Sequence, residues 1–168
     1  GMPRDTYSLF YSYAHGMTSY VNEQDAMLLI PPLFMAAGVY QLAYPVLFGT
    51  KLVGMAAFNP QVILKTIQDE KITQMFSYPT MMRWILGQPN FDEFDVSSMS
   101  VISIGGEAVS TELIKTIQEK FDCQTTTGYG MTELTGAAAT PIDAPPEMIS
   151  GSDGKVLPEY EAKLVDAD

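Results

Sequence analysis

The stretch "TTTGYGMTELTG", residues 125–136, sets three glycines among side chains able to do chemistry. Gly128 and Gly130 let the backbone pass close to a flat or bulky ligand, since a glycine has no Cβ to hold it off. Tyr129 between them offers a ring face for stacking, or an anchored hydroxyl. Thr132 can donate to a phosphate oxygen from the start of a helix, where the dipole favours anions. Glu133 cannot help an anion directly. It makes sense if a divalent cation bridges it to that phosphate, because hard cations prefer oxygen ligands. The same residues also compose a plain glycine turn, with Thr132 capping a helix and Glu133 as a favourable charge in its first turn. The loop taken alone fits both readings.

A second loop, "ISIGGEAVS" (102–110), has the same character. Gly105 and Gly106 directly follow an apolar run and leave open amides that can rim a ligand. Glu107 after them is either solvent-facing helix-start chemistry or part of that rim. Two familiar phosphate motifs are excluded. A dinucleotide loop needs G-x-G-x-x-G, but Glu133 stands where the third glycine would let the helix approach. A Walker A loop needs G-x-x-x-x-G-K-[ST], and "GSDGKV" (151–156) has neither the spacing nor the hydroxyl. His15 stands alone without a partner motif, and Cys123 opens a buried strand as a packed thiol. Trp84 reads as helix packing.

The elements that must position these loops alternate between strand and helix. "MLLI" (27–30) reads as a strand, and after Pro31-Pro32 "FMAAGVYQLAYPVLF" (34–48) reads as one buried apolar helix. "KLVG" (51–54) is the next strand. Asn59 caps a helix with Pro60 at its first position, and Val62, Ile63, Leu64 and Ile67 form its apolar face. "ITQMF" (72–76) precedes a helix running from about Pro79 to just before Gly87. A polar connection (90–100) leads to the strand "VISI" (101–104). Ser110 caps a helix whose stripe is Leu113, Ile114, Ile117 and Phe121, and "CQTTT" (123–127) is the last strand of the series. Residues 140–154 read as loop, and 155–165 as a short hairpin-like β segment. A further helix is expected over 4–22. This order predicts an α/β fold: a largely parallel sheet with helices on both faces and a short β segment at the C-terminus. Ligands of such sheets sit outside the carboxyl ends of the strands, where both loops fall.

Charge narrows the partners. The net charge of −11 lies wholly in residues 91–168, which hold four lysines against fifteen acids. A nucleic-acid groove there would repel phosphates. No apolar run approaches the length needed to cross a bilayer, so no transmembrane segment is expected. With one cysteine and no apolar signal region, a cytoplasmic protein is the simplest account.

Together the loops resemble those of the adenylate-forming superfamily, which includes acyl-CoA synthetases, aryl-acid CoA ligases, firefly-type luciferases and amino-acid adenylation domains. Its Y-G-x-T-E pattern is intact as Tyr129, Gly130, Met131, Thr132 and Glu133. "PPLFMAAGV" (31–39), "LFGTKLV" (47–53), "SYPTM" (77–81), "DVSSMSVISIGGEAVS" (95–110) and "GKVLPEYEAKLVD" (154–166) match in family order. The resemblance implies a ligase that activates a fatty or aryl acid with ATP and passes it to coenzyme A. Tyr129 would stack on the adenine, with Gly105, Gly106 and Glu107 along the base and Met131 within the same nucleotide-binding stretch. Thr132 would contact the α-phosphate, and Glu133 would hold Mg²⁺. Gly128, Gly130, Tyr78 and Met35 would border the acid's tunnel.

The chain would then be the central piece of a larger AMP-binding domain, with a sheet subdomain at about 4–140 and the start of a β subdomain at 141–168. The family's phosphate loop would precede residue 1, and its ribose-binding aspartate and catalytic lysine would follow residue 168. The remainder of the parent chain is therefore an expected partner, and residues 1–168 alone are expected to be inactive. Two departures stand out. Met35 replaces a frequent histidine beside the substrate carboxylate, and Glu159 replaces a glycine. An amino-acid adenylation domain is the nearest alternative, but these usually carry proline at Met131 and an aspartate absent from "PPLFMAAG". A non-catalytic α/β nucleotide-binding module is the alternative of another class.

Overall fold

The structure, a computed structural model, describes residues 21–133, 135–157, 160–163, 165 and 166. The helix expected over 4–22 lies outside the described residues except at Val21 and Asn22, as do His15 and Glu159.

The described strands form one seven-stranded sheet in the order β2-β1-β3-β4-β5-β6-β7. They are β1 (Ala26–Leu29), β2 (Lys51–Gly54), β3 (Gln74–Ser77), β4 (Val101–Gly105), β5 (Gln124–Met131), β6 (Thr135–Ala139) and β7 (Lys155–Val156). The first five are parallel, while β6 and β7 are antiparallel additions at one edge. The helices are α1 (Ala36–Gln41), α2 (Ala43–Phe48), α3 (Pro60–Glu70), α4 (Pro79–Leu86), α5 (Thr111–Phe121) and α6 (Pro146–Gly151).

The connection from β1 to β2 moves toward one edge of the sheet, and each later parallel crossover moves toward the other. Right-handed crossovers travelling in opposite directions place their helices on opposite faces. The side chains obey this rule. Ala26 and Leu28 of β1 pack with Ile63, Leu64 and Ile67 of α3, Ile85 of α4, and Ile114 and Ile117 of α5. Met27, pointing the other way, packs with Tyr44 and Phe48 of α2 and Leu52 of β2. The sheet thus carries helices on both faces, with the larger core on the α3–α5 side.

Local signals place the helices. Asn59 Oδ1 accepts from the amides of Gln61 and Val62 ahead of Pro60, and Ser110 Oγ accepts from Leu113 N. Lys71 and Asp122 close α3 and α5 in the left-handed region, at φ 51° and 48°. At the lower rim, buried Asp25 accepts from Thr73 Oγ1 at 2.7 Å and from Asn22 N at 2.9 Å, tying the start of β1 to that of β3.

Several expectations are corrected. The single buried helix over 34–48 is two short ones, because Pro45 has no N–H with which to continue the ladder from Gln41. Much of it is open rather than buried, with Phe34 86% and Val46 77% exposed. Val62 is exposed and leaves the α3 face to its three neighbours. The "polar" connection holds a 3-10 turn at Phe91–Glu93 and buries Phe91, Val96 and Met99. The loop expected at 140–154 contains α6, started by Pro146 at the first helical position. Strand β5 does not end at Thr127: it continues to Met131 and folds back as β6.

Candidate functional site

Four parallel strands, β1, β3, β4 and β5, deliver their carboxyl ends to one rim, as the sheet rule requires. A cavity of about 180 Å³ opens there on the α1–α2 face. Met35 and Tyr40 flank it from the α1 region, Phe76 and Tyr78 from the end of β3, and Gly105 and Gly106 from the end of β4. Gly128, Tyr129, Gly130, Met131 and Thr132 close the β5 side. Nine of the residues singled out in the sequence, drawn from four separate segments, thus line one space. Glu107 and Glu133 do not.

The Gly128–Gly136 stretch is a β-hairpin. Tyr129 pairs with Ala138 and Gly130 with Gly136, and the register shifts between Tyr129 and Gly130. Such an irregularity twists a strand and re-aims its side chains. Thr132 and Glu133 sit exposed in the turn at its tip. The helix start expected at Thr132 is therefore corrected: a strand follows, so no helix dipole acts there.

The hairpin's base is fixed by threonines. Thr125, Thr126 and Thr127 are all buried, and each side chain has a partner. Gln118 Nε2 of α5 donates to Thr125 Oγ1, Thr126 Oγ1 donates to Thr140 O, and Thr127 Oγ1 donates to Ile149 O of α6 at 3.0 Å. Thr140 Oγ1 accepts from Thr127 N at 2.9 Å. Buried hydroxyls with satisfied partners rigidify the frame from which Tyr129 projects. Sequence reasoning missed this role. The signal was three consecutive polar residues in a strand otherwise flanked by core.

Tyr78 is held on two sides at the cavity. It meets Phe76 edge-on, with centroids 5.3 Å apart at 89°. Gly106 lies against its other side at φ +81°, where a Cβ would stand 2.8 Å from Tyr78 Cδ1 and Cε1. Only glycine fits that backbone and that gap. Tyr78 Oη lies 3.7 Å from Met35 Sδ, and burial pushes the phenol's pKa up, so it remains a neutral donor.

Glu107 turns away from this cavity. Its Oε2 accepts from Thr80 Oγ1 at 2.9 Å, linking the β4–α5 loop to the start of α4. With Thr127, Ile149, Ser150 and Asp153 it lines a second cavity of about 210 Å³ on the opposite face. Gly105 and Gly128, paired in register, belong to both cavities and form their common wall.

Among the described residues, no three His, Cys, Asp or Glu side chains converge as a metal cage. Glu133 can thus supply one carboxylate at the hairpin tip. That donor set fits Mg²⁺, which is usually held by one or two carboxylates together with substrate phosphates and water.

Comparison with known proteins shows the family. The family model described as "AMP-binding enzyme" matches residues 4–168. The chain is 30% identical over 162 residues to a 3-[(3aS,4S,7aS)-7a-methyl-1,5-dioxo-octahydro-1H-inden-4-yl]propanoyl:CoA ligase of Rhodococcus jostii, covering 95% of this chain and 31% of that protein. It is 29% identical over 144 residues to luciferin 4-monooxygenase of Photinus pyralis, covering 85% of this chain and 26% of that one. Among solved structures, O-succinylbenzoate coenzyme A synthetase from Bacillus subtilis in complex with AMP superposes with a TM-score of 0.77 at 26% identity. The match covers 94% of this chain and 32% of that one. The chain spans under a third of the length of these proteins. The chain belongs to the AMP-binding enzyme family, the adenylate-forming group whose motifs its two glycine loops carry.

Proposed function

We propose that the whole protein is an ATP-dependent carboxylic-acid:CoA ligase, and that this chain supplies one wall of its acid and nucleotide sites. The observation that carries this reading is the convergence of Met35, Tyr78, Gly106 and the Gly128–Thr132 hairpin on one apolar cavity at the strand ends. Within the chain, a sheet subdomain runs to about residue 140, and the segment from 141 on, which includes α6, leads into a β subdomain.

The chemistry runs in two displacements. A carboxylate oxygen of a fatty or aryl acid attacks the α-phosphorus of ATP. Pyrophosphate leaves, and an acyl-adenylate remains. The sulfur of coenzyme A then attacks the acyl carbon and AMP leaves. The chain's contribution is binding and orientation. The apolar cavity takes the acid's body, and the exposed ring of Tyr129 gives the base a stacking face. Gly105 and Gly106 flank the base at the end of β4, Glu107 stands just beyond them on the far side of the Gly105–Gly128 wall, and Met131 continues the nucleotide wall along β5. Thr132 offers its hydroxyl to the α-phosphate. Glu133 would hold Mg²⁺, which when bound neutralises charge on the phosphates during displacement. A cytoplasmic setting and a place in fatty-acid metabolism go with this reading. No described helix is long and apolar enough to cross a membrane.

The test is acid-dependent ATP–pyrophosphate exchange by the full-length protein with a panel of alkyl and aryl acids. Exchange is expected with at least one acid. Glu133→Ala should lower it on the order of a hundredfold without altering the unfolding transition. Absence of exchange with every acid refutes the ligase reading, and wild-type exchange by the variant refutes the metal role.

A further inference from the structure

We propose that Tyr78 makes the acid site selective for substrates whose apolar body carries an uncharged oxygen acceptor, such as a ketone or ether, over all-hydrocarbon acids of equal length. This rests on the reading of the 180 Å³ cavity as the acid site.

Among the described residues no charged side chain lines the cavity, so a charged tail would be desolvated without a partner there. Its side-chain polar groups are hydroxyls. Those of Thr132 and Tyr129 belong to residues exposed on the hairpin, and Tyr40 is 5% exposed with an interaction of its own. Tyr78 differs from all three. It is half-buried against the cavity, and among the described residues its hydroxyl has one hydrogen-bond partner, the Met35 thioether at 3.7 Å. A thioether is a weak acceptor, so this donor remains largely unspent.

The hydroxyl is also held in place. Phe76 meets the ring edge-on, and the Gly106 backbone lies against the ring at a distance that leaves no room for a Cβ. A donor fixed in this way need not lose rotamer freedom when it finds an acceptor. An acid with an oxygen at matching depth replaces a poor contact with a good hydrogen bond. An acid with a methylene there covers the hydroxyl and leaves it with the thioether alone. Sites built to hydrogen-bond a substrate group reject analogues lacking it, and the half-open position of Tyr78 keeps the expected discrimination at about tenfold.

The experiment measures two quantities on the full-length protein for octanoic acid and its mono-oxo isomers: affinity by titration calorimetry, and pyrophosphate exchange. One oxo isomer should bind about tenfold tighter than octanoic acid, and Tyr78→Phe should erase that difference. The phenyl ring keeps its contacts with Phe76 and Gly106. Met35→Leu removes the competing thioether and should keep or raise the preference. Equal affinity of the wild type for octanoic acid and every isomer overturns the proposal. So does a preference that survives Tyr78→Phe, or one that vanishes in Met35→Leu. The two readouts separate the readings: exchange without preference sinks the role of Tyr78 and leaves the ligase standing, while preference in binding without exchange does the reverse.

Discussion

Gly106→Ala tests whether the rim of the cavity is built as described. A Cβ on Gly106 falls 2.8 Å from both Tyr78 Cδ1 and Cε1, whereas ordinary contact begins at 3.4 Å. Ring or backbone must therefore retreat by about 0.6 Å, the difference between those values. The Tyr78 ring cannot yield freely, because Phe76 stands edge-on beside it and Met35 faces its hydroxyl. The backbone also resists. Gly106 sits at φ +81°, and holding an alanine in a left-handed conformation costs about 1–2 kcal/mol. Adding overpacking, the expected loss of stability is about 2–4 kcal/mol.

Guanidinium unfolding of wild type and Gly106→Ala measures the total, and Tyr78→Ala with the double variant completes a cycle. In the Tyr78→Ala background the clash is gone and only the backbone cost should remain, so the coupling between the two sites should be about 1–2 kcal/mol. Gly105→Ala is the milder control: its Cβ would meet Phe76 Cε2 at 3.1 Å, without positive φ. If Gly106→Ala stayed within about 0.5 kcal/mol of wild type, or cost the same in both backgrounds, the packing argument would fail.

Three other outcomes are expected. Thr127→Val strips Ile149 O of its donor at 3.0 Å, and should cost about 1–3 kcal/mol in the same unfolding assay. Burial pushes the Cys123 thiol up to about 12, so it should resist a thiol reagent at pH 8 in the native protein and react on unfolding. The Lys71 ammonium at 2.6 Å, joined by the Ser97 hydroxyl and amide, holds the Asp95 carboxyl well below the usual range. A depressed carboxylate contributes stability above its unfolded value and loses it as pH falls toward the folded one. An acid titration should therefore show a decline setting in below about pH 4, flattened by Lys71→Met and by salt.

The sequence announced the parallel core because its signals are local and mutually consistent. Asn59-Pro60 and Ser110 are caps that work within one turn, and Leu113, Ile114, Ile117 and Phe121 recur at helical spacing and are all buried. Where it misled, the deciding interaction was non-local or a local cue was overruled. Apolar composition over 34–48 indicates burial, yet composition carries no information about which neighbour covers a face. Pro146 is a start signal that the surrounding Pro-Ala-Ser-Gly composition concealed. The hairpin was illegible for a different reason. Apart from Thr135, "TGAAA" has none of the branched or aromatic residues that mark a strand, and β6 exists because its backbone pairs with β5, not because its side chains favour extension.

That last difference changes how the site works. A helix beginning at Thr132 would have brought partial positive charge and free amides to a phosphate. A hairpin tip brings no such dipole, since sheet dipoles alternate and largely cancel. On the ligase reading, the phosphate is then met largely by side chains and by cations, and the segment that carries the hairpin is strongly acidic: residues 91–168 account for the whole net charge of −11. Thr132 can supply a hydroxyl, but Glu133 beside it repels a bare phosphate and helps only through a bound cation. The cation dependence of nucleotide binding should accordingly be steep in the whole protein. Glu133→Gln separates the two effects of the carboxylate. It should weaken Mg²⁺-nucleotide binding while strengthening nucleotide binding measured in a chelator, because the repulsion goes with the charge. A change in the same direction under both conditions would show that Glu133 acts on the hairpin's shape and not on the charge of its ligand.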